Sequence, residues 1–412
     1  MSVDLKTEVD AAEAGFAPDR LARLDRHFAR YVDDGRLVGW SLLVSRDGRI
    51  VHLATCGNRD EEAALPVELD TLWRIYSMTK PITSVAAMML YEEGAFELKT
   101  PVSAFIPSFA DLRVYRSGSA LAPVTEPAIE PVRIWHLLTH TAGLTYGFHH
   151  AHPVDAIYRA AGYEWGAPPN TDLAGCCDAW ASFPLLFQPG TEWNYSVASD
   201  VLGRVVEVAS GQSLDEFFRT RIFEPLGMSD TAFSVAPPDH SRLAALYTPH
   251  RRTGRAARLD VMGDLALRAP SALSGGGGLV SSARDYHRFA QMLLGEGELD
   301  GARLLGSRTV QYMTRNHLPG GTDLEQFGRP LFAETTFDGI GFGLGFSVVE
   351  DPAKNKVLST RGDFGWGGAA STAFWVDPTE RITALFFTQL LPSSTYAIRP
   401  QLKQLVYQAL VD

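Results

Sequence analysis

With 412 residues the chain is long enough for a two-lobed protein or for two or three domains. Its composition, 45% hydrophobic and 21% charged, is that of a globular protein and excludes the collagen-like, low-complexity and disordered classes. A net charge of −11 argues against sequence-independent nucleic-acid binding, which needs clustered Lys and Arg. The one basic cluster, HRRTGRAAR (250–258), reads as a solvated loop. No stretch approaches the ~20 apolar residues of a membrane span, and the opening MSVDLKTEVDAAEAGF is acidic and lacks the apolar core of an export leader. Cys56, Cys176 and Cys177 have no metal-type spacing and read as reduced thiols. The expectation is a cytoplasmic protein without nucleic-acid or membrane partners.

In chain order, FAPDRLARLDRHFARYVDDG (16–35) carries apolar residues at helical spacing behind a possible Asp19 cap. GWSLLVSRDGRIVHLATCG (39–57) gives two β-rich runs around Arg46-Asp47-Gly48, a hairpin signal. From about 81 to 330 the pattern is mainly helical, with Pro- and Gly-rich loops; within it, residues 197–227 read as two helices broken at Gly211. The far end returns to strands in FGLGFSVVED (342–351) and STAFWVDPTERITALFFTQ (371–389), with a turn at Asp377-Pro378. A final helix follows near 394–411. The economical arrangement is an α+β fold: one antiparallel sheet from both chain ends, flanked by the terminal helices, with a mostly helical lobe inserted. Residues 1–80 and 331–412 then form the α/β lobe and 81–330 the helical lobe, leaving a cleft between them for a small molecule.

The stretch RIYSMTKP (74–81) places Ser77 one helical turn before Lys80. Residues i and i+3 share a helix face, and a serine at a helix start sits among free N–H groups at the positive end of the dipole. Serine becomes a nucleophile when a neighbouring base takes its proton. Lysine is that base only where burial lowers its pKa, and the apolar run PITSVAAMMLYEEG supplies such a setting.

Five segments in order carry a resemblance to a known superfamily: SMTKPITSVAAMMLYEEG (77–94), VRIWHLLTHTAGL (132–144), the long segment 188–233 containing YSV, SGGGGLVSSARDYHRFAQMLL (274–294) and GDFGWGGAAST (362–372). The chain resembles the serine β-lactamase-like superfamily of class C β-lactamases, DD-peptidases and family VIII carboxylesterases, and is most similar to the last. The resemblance implies the β-lactamase/transpeptidase-like fold, with Ser77 as the acylated nucleophile. Lys80 and Tyr195 would be its coupled base and acid, Tyr195 as phenolate between two cations or sharing its proton with Lys80. It also implies an oxyanion hole from the amides of Ser77 and Ala369, with Trp366, Gly367, Gly368 and Val197 lining the substrate site.

Two departures from the penicillin-recognising pattern narrow the substrate. Trp366 stands where that family has a cationic Lys, and Val197 where it has the Asn of Tyr-x-Asn. Both replace polar anchors by apolar surface, which an uncharged ester tolerates better than a carboxylated β-lactam or peptide. The expected activity is therefore a serine carboxylesterase acting on small esters, without metal or cofactor. β-Lactamase, D-amino-acid peptidase or amidase, and acyltransferase activities with the same machinery are the alternatives, as is a silent binding homologue. His136 and His140 in HLLTH lack the Glu of a His-Glu-x-x-His zinc site and read as hydrogen-bonded histidines at a helix end. SGGGGL (274–279) lacks a P-loop ending and reads as a tight loop beside the cleft. YRAAGYEWGAPPNTDLAGCCDAW (158–180) reads as cleft wall. No Gly-x-Ser-x-Gly elbow occurs, which sets the α/β-hydrolase route aside.

Overall fold

A computed structural model describes residues 5–411; residues 1–4, where the stretch read as leaderless begins, and residue 412 lie outside the described residues. The core is an eight-stranded antiparallel sheet drawn from both chain ends. Its strands are β1 (Gly39–Arg46), β2 (Arg49–Asp60), β3 (Leu65–Pro66), β4 (Ile340–Phe342), β5 (Ser347–Val349), β6 (Phe364–Gly368), β7 (Thr372–Asp377) and β8 (Ile382–Phe387), in the order β4-β5-β6-β7-β8-β1-β2-β3. The N-terminal hairpin β1–β2 thus closes onto the last strand through the β1–β8 pair, Leu43 opposite Leu385. Its turn forms because Asp47 (φ 51°) and Gly48 (φ 79°) both occupy the left-handed region that a tight two-residue hairpin demands. At the β7–β8 turn the Asp377 carboxylate accepts from the N–H groups of Thr379 and Glu380.

Period-two alternation gives the sheet two buried faces. Leu42, Val44, Trp375 and Phe386 pack with Phe28 of α1 (Arg23–Asp33) and Leu402 of the terminal helix, while Leu43, Phe374, Leu385 and Phe387 join the larger core on the other side. The expected helix start differs: a short helix Pro18–Leu21 precedes α1, capped by Ala17 with Pro18 in its first turn, and Asp19 lies inside it. Proline's fixed φ and missing N–H suit that position better than the Asp19 cap expected.

On the second face α4 (Ala283–Leu294) packs on the strands, and α2 (Thr79–Glu92) and α3 (Ala198–Ser210), packed on each other, share the same core. Residues 79–90 of α2 are all buried, as expected of a helix apolar on every side. Pro81 is tolerated as its third residue, where an N–H has no intrahelical partner. α3 ends at Gly211 (φ 71°), the break expected from the sequence. α4 lies within 81–330 yet packs across β1, β7 and β8, and the buried Gln291 side chain donates to Ser45 and Thr383 of the sheet. The sheet lobe therefore takes back a helix from the inserted segment. Among the described residues no helix is long and apolar enough to cross a membrane. The chain closes with α5 (Ile398–Tyr407) beside α1.

Candidate active site

Ser77 lies in a 3₁₀ turn, Tyr76–Met78, that runs into α2, rather than in α2 itself. Threefold winding stacks side chains at i and i+3, and Lys80 Nζ donates to Ser77 Oγ at 3.2 Å. Tyr76, immediately before the serine, holds φ at +41°, a strained value for a residue with a side chain. The turn is anchored from the sheet side: Tyr286 of α4 donates its hydroxyl to the Met78 carbonyl at 2.8 Å.

Tyr195 arrives from the loop before α3, its carbonyl accepting from His149 Nε2 at 2.8 Å. Its hydroxyl donates to Ser77 Oγ at 2.5 Å. The phenol ring is enclosed by His140, Tyr146 and Trp366, with centroids 5.3, 5.3 and 5.5 Å away. The serine oxygen is thus held between one amine and one phenol, both buried.

Sequence reasoning missed the remaining partners of Lys80. Its ammonium donates to Tyr146 Oη at 2.9 Å and to the Gly276 carbonyl at 2.6 Å, so with Ser77 its three donor positions are filled. The N–H of the same Gly276 donates to Asp200 of α3 at 3.0 Å, and Ser274 donates to that carboxylate too. The glycine-rich loop is thus a strut between Lys80 and Asp200 as well as a neighbour of the cleft. Tyr146 sits in a segment without a spacing signature. Asp200 offered one weak signal, an acidic residue in a helix's first turn five positions after Tyr195.

Burial lowers the Lys80 pKa to about 8, opposed by the negative charges of Asp200 and Glu334. The same dryness pushes the Tyr195 phenol well above its ordinary range, with Glu334 adding to the effect. Of the two states the resemblance leaves open, a phenolate or a proton shared with Lys80, this direction disfavours the phenolate. Desolvation outweighs the nearby positive charge, so at rest Tyr195 is a neutral donor and Lys80 is the group that titrates near neutrality. Tyr146 is raised by burial in the same way.

The other expected residues divide. Gly368, at the end of β6, approaches the nucleophile's turn so closely that a Cβ would come within 2.3 Å of the Ile75 carbonyl oxygen. Ala369 follows it, and among the described residues its N–H donates no backbone hydrogen bond. Trp366 is 3% exposed and packs on Tyr195 and, at 5.4 Å, on Phe342, so it is a wall of the tyrosine's cage. Val197 is buried at the start of α3. Gly367 points to the opposite face of the sheet, toward Arg399, and so does not line the Ser77 side. On that face a cavity of about 350 Å³, lined in part by Trp366, Trp375, Glu334 and Arg399, adjoins the cluster without including Ser77.

Outward from Lys80 the rings of Tyr146 and Phe148 stack at 4.6 Å and those of Phe148 and Trp165 at 5.0 Å, with Trp165 half exposed. Segment 158–180 therefore contributes an aromatic rim. His136 Nδ1 accepts from the Arg133 N–H and His140 Nδ1 meets Ser196 Oγ, so the two histidines serve separate partners. The three cysteines are free thiols.

The buried Ser-Lys-Tyr cluster lies beside an antiparallel sheet, and comparison with known proteins gives the family of the whole chain. Residues 24–408 match the family described as Beta-lactamase, and the chain belongs to that family. It is 37% identical over 363 residues to an uncharacterised protein of Mycobacterium tuberculosis, covering 87% of this chain and 88% of that one. It is 34% identical over 382 residues to esterase EstB of Burkholderia gladioli, covering 89% and 90%. Among solved structures, EstCE1, a hydrolase with promiscuous acyltransferase activity, superposes with a TM-score of 0.79 at 27% identity, covering 96% of this chain and 99% of that one. The fold expected from the sequence, β-lactamase/transpeptidase-like, is the fold found, and the proteins this chain is similar to include an esterase and a hydrolase with promiscuous acyltransferase activity.

Proposed function

We propose that the protein is a serine carboxylesterase, family VIII-like, that hydrolyses small carboxylic esters through an acyl-enzyme on Ser77. One observation carries this reading: Ser77 Oγ lies 3.2 Å from an amine that burial brings to a pKa of about 8 and 2.5 Å from a neutral phenol. Serine then has a base that is partly free near neutral pH and an acid ready for a leaving group.

The reaction follows from those positions. Neutral Lys80 accepts the Ser77 proton as Oγ adds to the ester carbonyl carbon. The developing oxyanion takes hydrogen bonds from the N–H groups of Ser77 and Ala369. The Tyr195 hydroxyl gives its proton to the departing alkoxide, and the proton held by Lys80 passes to the resulting Tyr195 phenolate, so the alcohol leaves neutral, the pair is reset and Ser77 is acylated. Water then repeats the sequence in reverse and releases the acid. Tyr146, the Gly276 carbonyl and Asp200 hold and tune Lys80.

The substrate preference rests on what the cleft lacks. Trp366 and Val197 put buried apolar side chains where polar anchors were expected, and the Tyr146–Phe148–Trp165 row carries apolar rings outward. Uncharged esters with apolar groups suit such walls; a carboxylated β-lactam leaves its carboxylate without the expected cation. The likeness to EstB and to a hydrolase with acyltransferase activity supports the same chemistry, with an alcohol replacing water as the second reading. Free thiols, two of them vicinal, fit a reducing, cytoplasmic setting. The test is one preparation assayed on p-nitrophenyl esters of increasing acyl length and on nitrocefin. Ester turnover well above nitrocefin turnover is expected; the reverse ranking rejects the ester preference.

A further inference from the structure

The carbonyl of Gly368 and the N–H of Ala369 are two ends of one planar peptide. Fixing the carbonyl therefore fixes the direction of the N–H assigned to the oxyanion. That carbonyl accepts two hydrogen bonds, from the Ser371 N–H at 2.9 Å and from Arg399 Nη2 at 3.0 Å. The same Arg399 donates to the Thr372 carbonyl at 3.1 Å, and Thr372 is the cross-strand partner of Gly368. Its second terminal nitrogen, Nη1, donates to the Glu334 carbonyl at 2.9 Å, and the two hydrogens of Nη2 are shared among the Gly368 and Thr372 carbonyls and the Glu334 carboxylate. One guanidinium thus ties α5, segment 334 and both shoulders of the β6–β7 turn.

Glu334 is 2% exposed, and Ser393 donates to its carboxylate at 2.8 Å. A carboxylate this buried is sustained by its cation; in return it holds the fork in one orientation. The adjacent glycines divide the labour. A Cβ at Gly367 would lie 2.3 Å from Arg399 Cζ, and one at Gly368 would lie 2.3 Å from the Ile75 carbonyl oxygen. The first glycine admits the guanidinium behind the strand; the second admits the nucleophile's turn in front of it.

We propose that Arg399 and Glu334 are positioning residues for the oxyanion site, holding and polarising the Gly368–Ala369 peptide from behind the strand. This rests on reading Ser77 as the acylated nucleophile. Among the described residues neither side chain bonds to Ser77, Lys80 or Tyr195; both act through the peptide. Their effect belongs to the tetrahedral stage, when negative charge reaches the oxygen, and not to ground-state binding.

The experiment compares wild type, Arg399→Lys and Arg399→Ala on a p-nitrophenyl ester and, separately, on phenylboronic acid. Ser77 Oγ adds to the boron of that inhibitor, giving a tetrahedral anion as its proton passes to the catalytic pair. Removing one oxyanion donor outright costs ~10²–10³-fold in kcat, so loosening one is expected to cost about 10–100-fold. KM should stay within about threefold while boronate affinity falls with kcat, since binding lost only at the tetrahedral stage spares the ground state. Arg399→Lys should fall between, because a point charge cannot serve both carbonyls and the carboxylate. It also keeps the charge opposite Glu334 should Arg399→Ala fail to fold. Unchanged kcat and boronate affinity in the folded variants, or a loss confined to KM, overturns the proposal. The wild-type ester burst, measured first, tests the esterase reading on its own, and the boronate comparison does not depend on it.

Discussion

Burial of Lys80 makes a quantitative demand on the pH profile. The pKa falls from an ordinary 10.5 to about 8, because desolvation outweighs the negative charges of Asp200 and Glu334. Each pKa unit is ~1.4 kcal/mol, so burial favours the neutral amine by about 3 kcal/mol. At pH 7 the free-base fraction rises from roughly 0.03% to roughly 10%, about a 300-fold gain in competent enzyme. The sign is fixed: the base is lost as pH falls, so log kcat/KM should climb by one per unit below the bend and level off above about pH 8. The assay is initial-rate kcat/KM for a p-nitrophenyl ester across that range, corrected for spontaneous hydrolysis. Asp200→Asn removes a charge that raises this pKa, so its bend should move to lower pH. A flat profile, or a bend that moves upward in Asp200→Asn, refutes Lys80 as the titrating base.

Other outcomes follow from the same geometry. Tyr195→Phe, which removes the 2.5 Å partner of Ser77 Oγ, should lower kcat by ~10²–10⁴-fold, the usual worth of one acid–base group; near-normal turnover would reassign the acid. Gly368→Ala forces a Cβ against the Ile75 carbonyl and should reduce acylation rate in a folded protein, read from the p-nitrophenol burst. Trp366→Lys should fail to create efficient β-lactam turnover, because the position is a buried wall against Tyr195 and Phe342; removing a large buried side chain costs ~3–5 kcal/mol, visible as a lower Tm. High nitrocefin turnover by that variant would show that the missing cation alone sets the preference.

How far the sequence speaks depends on whether a signal is local. The Asp47-Gly48 hairpin and the Gly211 stop are written in adjacent residues whose left-handed φ values the chain must adopt, and both are found as read. Ser77 and Lys80 lie one turn apart, so spacing alone brings them together. Tyr195, 118 residues from Ser77, has no such link; only the order of matching segments points to it. Tyr146 and the Gly276 carbonyl escape altogether, because a lone tyrosine and a backbone oxygen carry no pattern. That α4 packs on the sheet although it lies within 81–330 is not legible either, because an amphipathic helix does not say which apolar surface it covers. The ionisation of Tyr195 stays open in the sequence because burial, invisible there, shifts it. Gly367 and Gly368 are neighbours that serve opposite faces of a strand, a distinction that only the placement of Arg399 and Ile75 reveals.

The central claim is that Ser77 becomes acylated. Mixing the protein with one equivalent of a slowly deacylated p-nitrophenyl ester, then measuring intact mass and mapping the peptides, tests it directly. The account predicts one added acyl group, on Ser77, formed with the p-nitrophenol burst and absent in Ser77→Ala. Ester turnover retained by Ser77→Ala, or an adduct on any other residue, would contradict it.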